Sequence, residues 1–136
     1  MGFVVKAQID DVRAAIFDLK AQKTMYRGKE IAAGDTIYVF ASENNGGCGL
    51  IARGVVASAR SITKKRGLDR QTPRVSLSIR RTALAKKPLG RSELKAFTNW
   101  DDGRPETELN FKLYRQATNK VVAVSDAAAA FLARHF

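Results

Sequence analysis

Two predicted β-strands joined by a tight reversal constrain the fold of this chain most. Thr36 to Ala41 is an apolar run rich in strand-forming residues, and Gly34-Asp35 marks its start. Asn44-Asn45-Gly46-Gly47 follows, and Asn and Gly tolerate the positive φ that tight turns require. Leu50 to Ala59 then predicts a returning strand, in which Gly54 indicates a bulge. The sequence therefore predicts a β-hairpin within a curved sheet.

Three further segments have strand patterns. Phe3 to Gln8 opens with consecutive apolar residues, and Val121 to Val124 is a short apolar run. Arg74 to Arg80 alternates strictly, which predicts that Val, Leu and Ile are buried while Arg and Ser form a basic, hydroxyl-bearing stripe on the other face. The polar, basic segment from Ser61 to Thr72 is predicted to be an exposed loop.

Helices are predicted near both ends of the chain. Asp10 or Asp11 can cap a first helix, and Ser125 or Asp126 can cap a last one over Ala127 to His135. A short helix is also possible from Ser92 through Phe97, whereas the periodicity of 111–114 fits a helix or a strand. The first helix would bury an apolar stripe of Val12, Ala15, Ile16 and Leu19.

Length and composition place these elements in one α+β domain. The 136 residues suffice for a hydrophobic core, and the strands and helices predict a small, curved mixed sheet forming a pseudo-barrel with two or three flanking helices over residues 1–136. We expect a soluble, cytoplasmic protein, because no apolar leader precedes Phe3 and Cys48 is the only cysteine. With His135 as the only histidine, a His-containing triad and a Cys/His zinc site are excluded, and neither a metal nor a cofactor is expected.

The positive charge is concentrated in one segment. Residues 53–91 contain twelve of the 24 Lys and Arg residues and a single acid, Asp69, so they account for the whole net charge of +11. Such a block favours a phosphate backbone as partner. Solubilisation of a loop and a sheet edge is the simpler alternative. A membrane surface is a weaker one, because it would require the cations on an amphipathic helix.

The first sixty or so residues resemble the PUA-like superfamily, most closely EVE domains. Tyr26 to Phe40 has the family's basic-polar stretch, Gly-Asp turn and aromatic-rich strand, and Leu50 to Val56 has its returning strand with a glycine. Phe3 to Ala7 is similar to an EVE first strand, although the usual early Trp is missing. The resemblance implies a pseudo-barrel with a cleft that accepts a nucleobase, which is often modified or flipped out of a duplex.

Two turn-rich segments contain residue types that suit such a cleft. Residues 99–108 contain the only Trp, Trp100, beside acids, an amide and Arg, and residues 114–120 form a second set. A flipped base needs a stacking surface and groups that read its edge, with cations nearby for the phosphates. Simpler roles are a loop anchor for Trp100, turn formation for Asp101-Asp102, and capping or bridging for Arg115, Gln116 and Asn119.

We therefore predict a non-enzymatic module that binds DNA or RNA and recognises a particular base or base modification. The residues predicted to contact nucleic acid are Arg27, Ser42, Asn44, Arg60, Lys64, Lys65, Arg66, Arg74, Arg80, Trp100, Asp102, Arg104, Arg115, Gln116, Asn119 and Lys120.

An enzymatic alternative comes from the related ASCH domains, some of which are amidohydrolases of acylated pyrimidine nucleosides that use a Lys, a Thr and a Glu. Lys23-Thr24 partly resembles that stretch, although its spacing differs. Glu30 and Glu43 are candidates for the carboxylate only by elimination. A Lys-Thr pair that ends the first predicted helix is the structural alternative.

Overall fold

A computed structural model describes residues 2–62, 72–116 and 118–136 of the chain. Within these ranges the strands are β1 (Gly2–Ala7), β2 (Ile16–Met25), β3 (Thr36–Ala41), β4 (Gly49–Ser61), β5 (Arg74–Leu84) and β6 (Lys120–Val124). The helices are α1 (Arg91–Leu94), α2 (Pro105–Leu113) and α3 (Asp126–Ala133), and single 3-10 turns occupy Gly28–Glu30 and Glu43–Asn45.

The strands close into a barrel in the order β1-β3-β4-β5-β2-β6. The sheet is mixed, because β1 is parallel to β3 and antiparallel to β6, while β2 is parallel to β6. The helices α2 and α3 pack against β6 and β1, respectively. The α+β, PUA-like barrel predicted from the sequence is thus confirmed. Among the described residues, no helix has the length and hydropathy needed to span a bilayer.

Apolar side chains form two layers, one inside the barrel and one between the barrel and the helices. Phe3 and Val5 of β1 point into the barrel, whereas Val4 faces the outer layer. The outer layer joins β1, β3 and β6 to buried leucines of the helices, such as Leu109 and Leu132. Strand β1 is therefore buried on both faces, which explains its continuous apolar run.

The hairpin and the alternating strand form as predicted. Strands β3 and β4 pair antiparallel, and the register between β4 and β5 shifts at Arg53/Gly54, where the bulge was expected. In β5, Val75, Leu77 and Ile79 are at most 3% exposed. The last helix is capped by Ser125, whose side chain accepts a hydrogen bond from the backbone N–H of Ala128. Residues 111–113 belong to α2, which decides between the helix and strand alternatives.

The predicted first helix is wrong. Residues 10–15 form bends and turns, and strand β2 begins at Ile16. Phe17 and Leu19 are buried inside the barrel, whereas Ile16 is 56% exposed and Asp18 is also exposed. The strand alternation of residues 16–20 prevails over the helical spacing because β5 supplies a hydrogen-bonding partner along this stretch.

Gly28 lies against the backbone of β6, which gives a test of the packing. A Cβ at Gly28 would lie 2.1 Å from the carbonyl oxygen of Val121, whereas a Cβ at Gly34 would meet nothing within 4 Å. Gly34 has φ +93°, so alanine there introduces backbone strain of about 1–2 kcal/mol without a clash. We expect Gly28→Ala to lower the free energy of unfolding by about 3 kcal/mol or more, and Gly34→Ala by clearly less. Urea denaturation measures both, and equal losses would contradict the close approach.

Candidate nucleic-acid interface

A cavity of about 740 Å³ lies between α1, the segment that follows it and α2. Its walls combine aromatic side chains with cations, and no carboxylate belongs to the part of the lining that the structure describes. The lining residues are Arg91, Lys95, Thr98, Trp100, Asn110, Phe111, Tyr114 and Arg115. We call this site the aromatic-basic cavity. Its volume is in the range of sites that hold small molecules.

Trp100 lines the cavity and is the most exposed large hydrophobic residue in the described part of the chain, with 76% of its surface accessible. A partly buried loop anchor would be covered by neighbouring side chains, so the exposure favours a surface on which a flat group can stack. A side chain so little buried contributes little to folding stability.

Two arginines of the cavity lie over aromatic rings. The guanidinium carbon of Arg115 is 5.3 Å from the centre of the Phe111 ring, and that of Arg91 is 5.6 Å from the centre of the Tyr114 ring. These cation–π contacts orient the arginines on the cavity wall while leaving their N–H donors in the plane of the guanidinium. Donors arranged in this way suit phosphate oxygens.

Glu43 connects the cavity to the end of the hairpin. The Tyr114 hydroxyl donates to both Glu43 carboxylate oxygens, at 3.0 and 3.1 Å, and the backbone N–H of Arg91 donates to Glu43 Oε2 at 2.7 Å. One carboxylate thus fixes the end of α2 and the start of α1 relative to the turn after β3. Burial and the Glu43 carboxylate raise the pKa of the Tyr114 hydroxyl far above its ordinary value, so that it stays a donor.

Two lysines are buried behind this wall. Lys6 of β1 and Lys120 of β6 face each other in neighbouring strands and are 0% and 1% exposed. Lys6 Nζ lies 5.1 Å from the centre of the Tyr114 ring, and Lys120 Nζ donates to the carbonyl oxygen of Gln116 at 3.1 Å. Burial, and then the charge of Lys6, lower the pKa of Lys120 to about 8. Burial and Arg91 lower the pKa of Lys6, an effect that Glu43 partly offsets.

Ser42 is a further buried polar group at this end of the barrel. Its side chain is 1% exposed, and its Oγ has no hydrogen-bond partner within the described part of the chain. Because Phe40 pairs with Lys6 and the chain is still extended at Ser42, two residues later, Ser42 lies on the same outward face as Lys6. Lys6, Lys120 and Ser42 are thus three buried polar residues on the outward face at this end of the barrel.

Other predicted contact residues are engaged in local structure. Asp102 accepts hydrogen bonds from the Arg104 backbone N–H and the Thr107 hydroxyl, both at 3.0 Å. These bonds, that of the backbone first, lower the pKa of Asp102, and they support its alternative role in turn formation. Asn119 Nδ2 donates to Asn45 Oδ1 at 3.3 Å, which bridges β6 to the hairpin turn. Arg91 likewise donates to Asn44 Oδ1 at 3.2 Å.

The predicted arginines do not share one surface. Trp100 and Arg115 line the aromatic-basic cavity, and Arg104 lines a smaller adjoining pocket with Trp100. Arg27 is paired with Glu30 through Nε and Oε2, 2.5 Å apart, on the surface. The remaining arginines, Arg60, Arg74 and Arg80, belong to β4 and β5. Lys64, Lys65 and Arg66 lie outside the described residues.

No contact favours the enzymatic alternative for Lys23-Thr24. Both residues are in β2, so their predicted role at the end of a helix is wrong. The Thr24 hydroxyl donates to the carbonyl oxygen of Pro73 at 2.7 Å, a bond that joins β2 to the start of β5. Of the two candidate carboxylates, Glu30 pairs with Arg27, and Glu43 accepts from Tyr114.

Lys6, Arg91 and Lys95 are not among the residues that the sequence predicts to contact nucleic acid. Lys6 carried a usable signal, because it is a charged residue inside the apolar run of 3–7, which the structure buries on both faces. Arg91 and Lys95 carried none, since they are ordinary cations on a short helix and the turn after it.

Solved structures with the same fold cover nearly the whole chain. The chain is similar to the DUF55 domain of human thymocyte nuclear protein 1, with a TM-score of 0.64 and 11% identity over 99% of this chain and 98% of that one. It is also similar to human THYN1 protein in complex with 5-methylcytosine containing DNA, with a TM-score of 0.68 and 12% identity over 98% and 96% of the two chains. A Pseudomonas syringae protein has a TM-score of 0.61 and 17% identity over the full length of both.

These solved structures are EVE and PUA-like domains, so the fold expected from the resemblance is confirmed. No protein-family model matches the sequence, and neither does any curated protein. At these identities the likeness establishes the fold, and the chemistry of the site has to be argued from its own residues.

The lowered pKa of Lys120 predicts how stability depends on pH. The unfolded chain, with an ordinary lysine pKa of 10.5, binds more protons than the folded chain above about pH 8, so stability rises with pH in that window. We expect the free energy of unfolding to increase by about 1–2 kcal/mol between about pH 7.5 and 9.5, because one pKa unit corresponds to about 1.4 kcal/mol. Above that range the raised pKa of Tyr114 acts in the opposite direction.

Lys120→Met should make this rise clearly smaller, whereas Lys87→Met, at an exposed position, should preserve it. Urea unfolding at a series of pH values measures the effect. An identical pH profile in Lys120→Met and the original chain would contradict the assignment.

Proposed function

We propose that this PUA-like domain binds nucleic acid and takes a single base, preferentially a modified one, into the aromatic-basic cavity. The observation that carries the proposal is the position of Trp100, an exposed aromatic residue in a cavity whose described lining residues include three cations and no carboxylate. Trp side chains are highly buried on average, so one that is 76% exposed is unusual, and a base offers a flat face that stacks on indole.

The cations of the cavity support an anionic ligand. Arg91, Lys95 and Arg115 approach it from α1, the turn after α1 and the end of α2. A base inside the cavity would leave its flanking phosphates at the rim, where these side chains can contact them. A neutral, purely aromatic ligand would not require three cations.

Hydrogen-bonding groups in and beside the cavity support recognition of a base edge. Tyr114 is kept protonated by burial and Glu43, and Asn110 is held by a bond from its Nδ2 to the carbonyl oxygen of Phe97, at 2.9 Å. With these protons donated inside the protein, the Tyr114 oxygen and the Asn110 amide oxygen can still accept hydrogen bonds, and groups held in place discriminate between bases better than mobile surface groups do. The complex of human THYN1 with 5-methylcytosine containing DNA makes modified cytosine the first base to test.

A binding screen at fixed, near-physiological salt tests the proposal. It compares single- and double-stranded DNA and RNA of one sequence, each with and without a modified cytosine or adenine. We expect one modified base to be preferred by roughly 1–3 kcal/mol, the value of one well-formed set of hydrogen bonds. Equal affinity for all members of the screen would remove base recognition and leave only polyanion binding.

Trp100→Ala tests the stacking surface. We expect this change to weaken binding of the preferred oligonucleotide by about 1–3 kcal/mol and to leave the thermal midpoint nearly unchanged, because the side chain is 76% exposed. Trp100→Phe, which keeps a ring, should recover most of the affinity. Fluorescence anisotropy and thermal unfolding measure the two quantities. A large loss of stability with unchanged affinity would instead make Trp100 a structural anchor.

A further inference from the structure

The face of the barrel opposite the helices carries a second basic surface. The apolar layer under the helices involves β1, β3 and β6, together with Leu50 at the start of β4 and Met25 at the end of β2, and in the closed order β5 is three strands away from β1 in both directions. The outer face of β5, with residues 58–60 of β4 and 18–20 of β2 beside it, is therefore turned away from the aromatic-basic cavity. This face contains most of the arginine stripe predicted from the alternation of 74–80.

Short hydroxyl side chains form the floor of a groove on this face. Ser58 of β4 pairs with Ser78 of β5, and Ser76 is the next outward residue along β5. A cavity of about 410 Å³ lies over these serines. We call it the serine groove. Three small side chains side by side on a sheet leave a depression between longer neighbours, and each hydroxyl can donate a hydrogen bond.

Cationic side chains lie in and beside the serine groove. Arg60 pairs with Ser76 across the β4–β5 ladder, and Lys20 of β2 lines the opposite side. Arg80 follows Ser78 on the outward face and is exposed. Asp18, which pairs with Ser78, is the one carboxylate among the described lining residues, which also include the two cations Lys20 and Arg60.

The geometry points to a second nucleic-acid contact: we propose that the serine groove binds the phosphate backbone, independently of the aromatic-basic cavity. Arginine, lysine and serine are residues that contact phosphate oxygens, and they carry no base selectivity there. None of the described residues that line the serine groove is aromatic, so they offer a base no ring to stack on. This second contact extends the proposed function. The evidence for it comes only from the serine groove and not from the aromatic-basic cavity.

Separate variants of the two surfaces test the independence of the groove. Lys20→Gln, Arg60→Gln and Arg80→Gln combined neutralise the groove. The matched control neutralises three exposed cations, Lys29, Lys87 and Arg134, that line neither site and cause the same change in net charge. Both triple variants are made in the original chain and in a Trp100→Ala/Arg115→Ala background that disables the cavity. The probe is an unmodified duplex, and affinity is measured by anisotropy across a range of salt concentrations.

In the Trp100→Ala/Arg115→Ala background with an unchanged serine groove, we expect the affinity for the duplex to fall steeply as the salt concentration rises. The groove triple variant should reduce the log–log slope by about 2–3, since each lost phosphate contact on duplex DNA removes about 0.9. The control triple variant should change the slope by less than one contact. In the chain with an intact cavity, the groove variant should keep the preference for a modified base while losing overall affinity.

A groove triple variant that cannot be distinguished from the control in slope and affinity would overturn the inference. That result would leave base recognition intact. Conversely, the chain could bind all bases with equal affinity while the groove variant still lowers the log–log salt slope. That result would contradict the cavity proposal alone. The two failures are therefore distinguishable.

Discussion

The pairing of β1 with β6 is the contact on which the rest of this structure depends. It runs from Gly2↔Val124 to Lys6↔Lys120 and joins the first strand of the chain to the last. Because β3 occupies the other edge of β1, and β2 pairs with the far edge of β6, this pairing closes the barrel. A closed sheet leaves no strand edge exposed, and it encloses the inner apolar layer. The same closure determines which side of the barrel the helices cover.

Closure also buries charge. A lysine in an edge strand could extend its ammonium group into water, but Lys6 lies in a strand with neighbours on both edges and apolar layers on both faces. Lys120 lies beside it, and burial lowers the pKa of both amines. Two adjacent buried cations are less favourable for folding than an apolar pair of similar volume. Lys6 lies against the ring of Tyr114, a residue that lines the aromatic-basic cavity.

The sequence predicts best those elements whose signals are local. The hairpin around 44–47, the alternation of 74–80 and the Ser125 cap each depend on neighbouring residues and form as expected. Residues 10–19 were misread because their apolar positions fit a helical spacing as well as a strand, and only the pairing of β2 with β5 selects the strand. That pairing joins segments roughly sixty residues apart along the chain, so no local pattern contains it.

The candidate site was predictable only in part for the same reason. Trp100 and Arg115 stand out by residue type. The bonds that join Tyr114 and Arg91 of the same cavity to Glu43 span 71 and 48 positions, so no local pattern reveals them. Residue type also pointed to Arg60 and Arg80 without showing that they lie on the other side of the barrel. The basic residues of one sequence segment can therefore lie on different surfaces, as Arg60 and Arg91 do here.

The separation of the charges has a physical consequence for recognition. Phosphate contacts contribute affinity that falls with salt and does not depend on sequence, whereas a stacking surface with fixed donors contributes selectivity that is less sensitive to salt. In this barrel the aromatic residues are on the helical side, and the serine-lined cations are on the bare side. Because a closed barrel holds its two sides at a fixed distance, substitutions on one side change one property without rearranging the other. In the proposed binding mode, affinity and base selectivity can therefore be altered by separate substitutions.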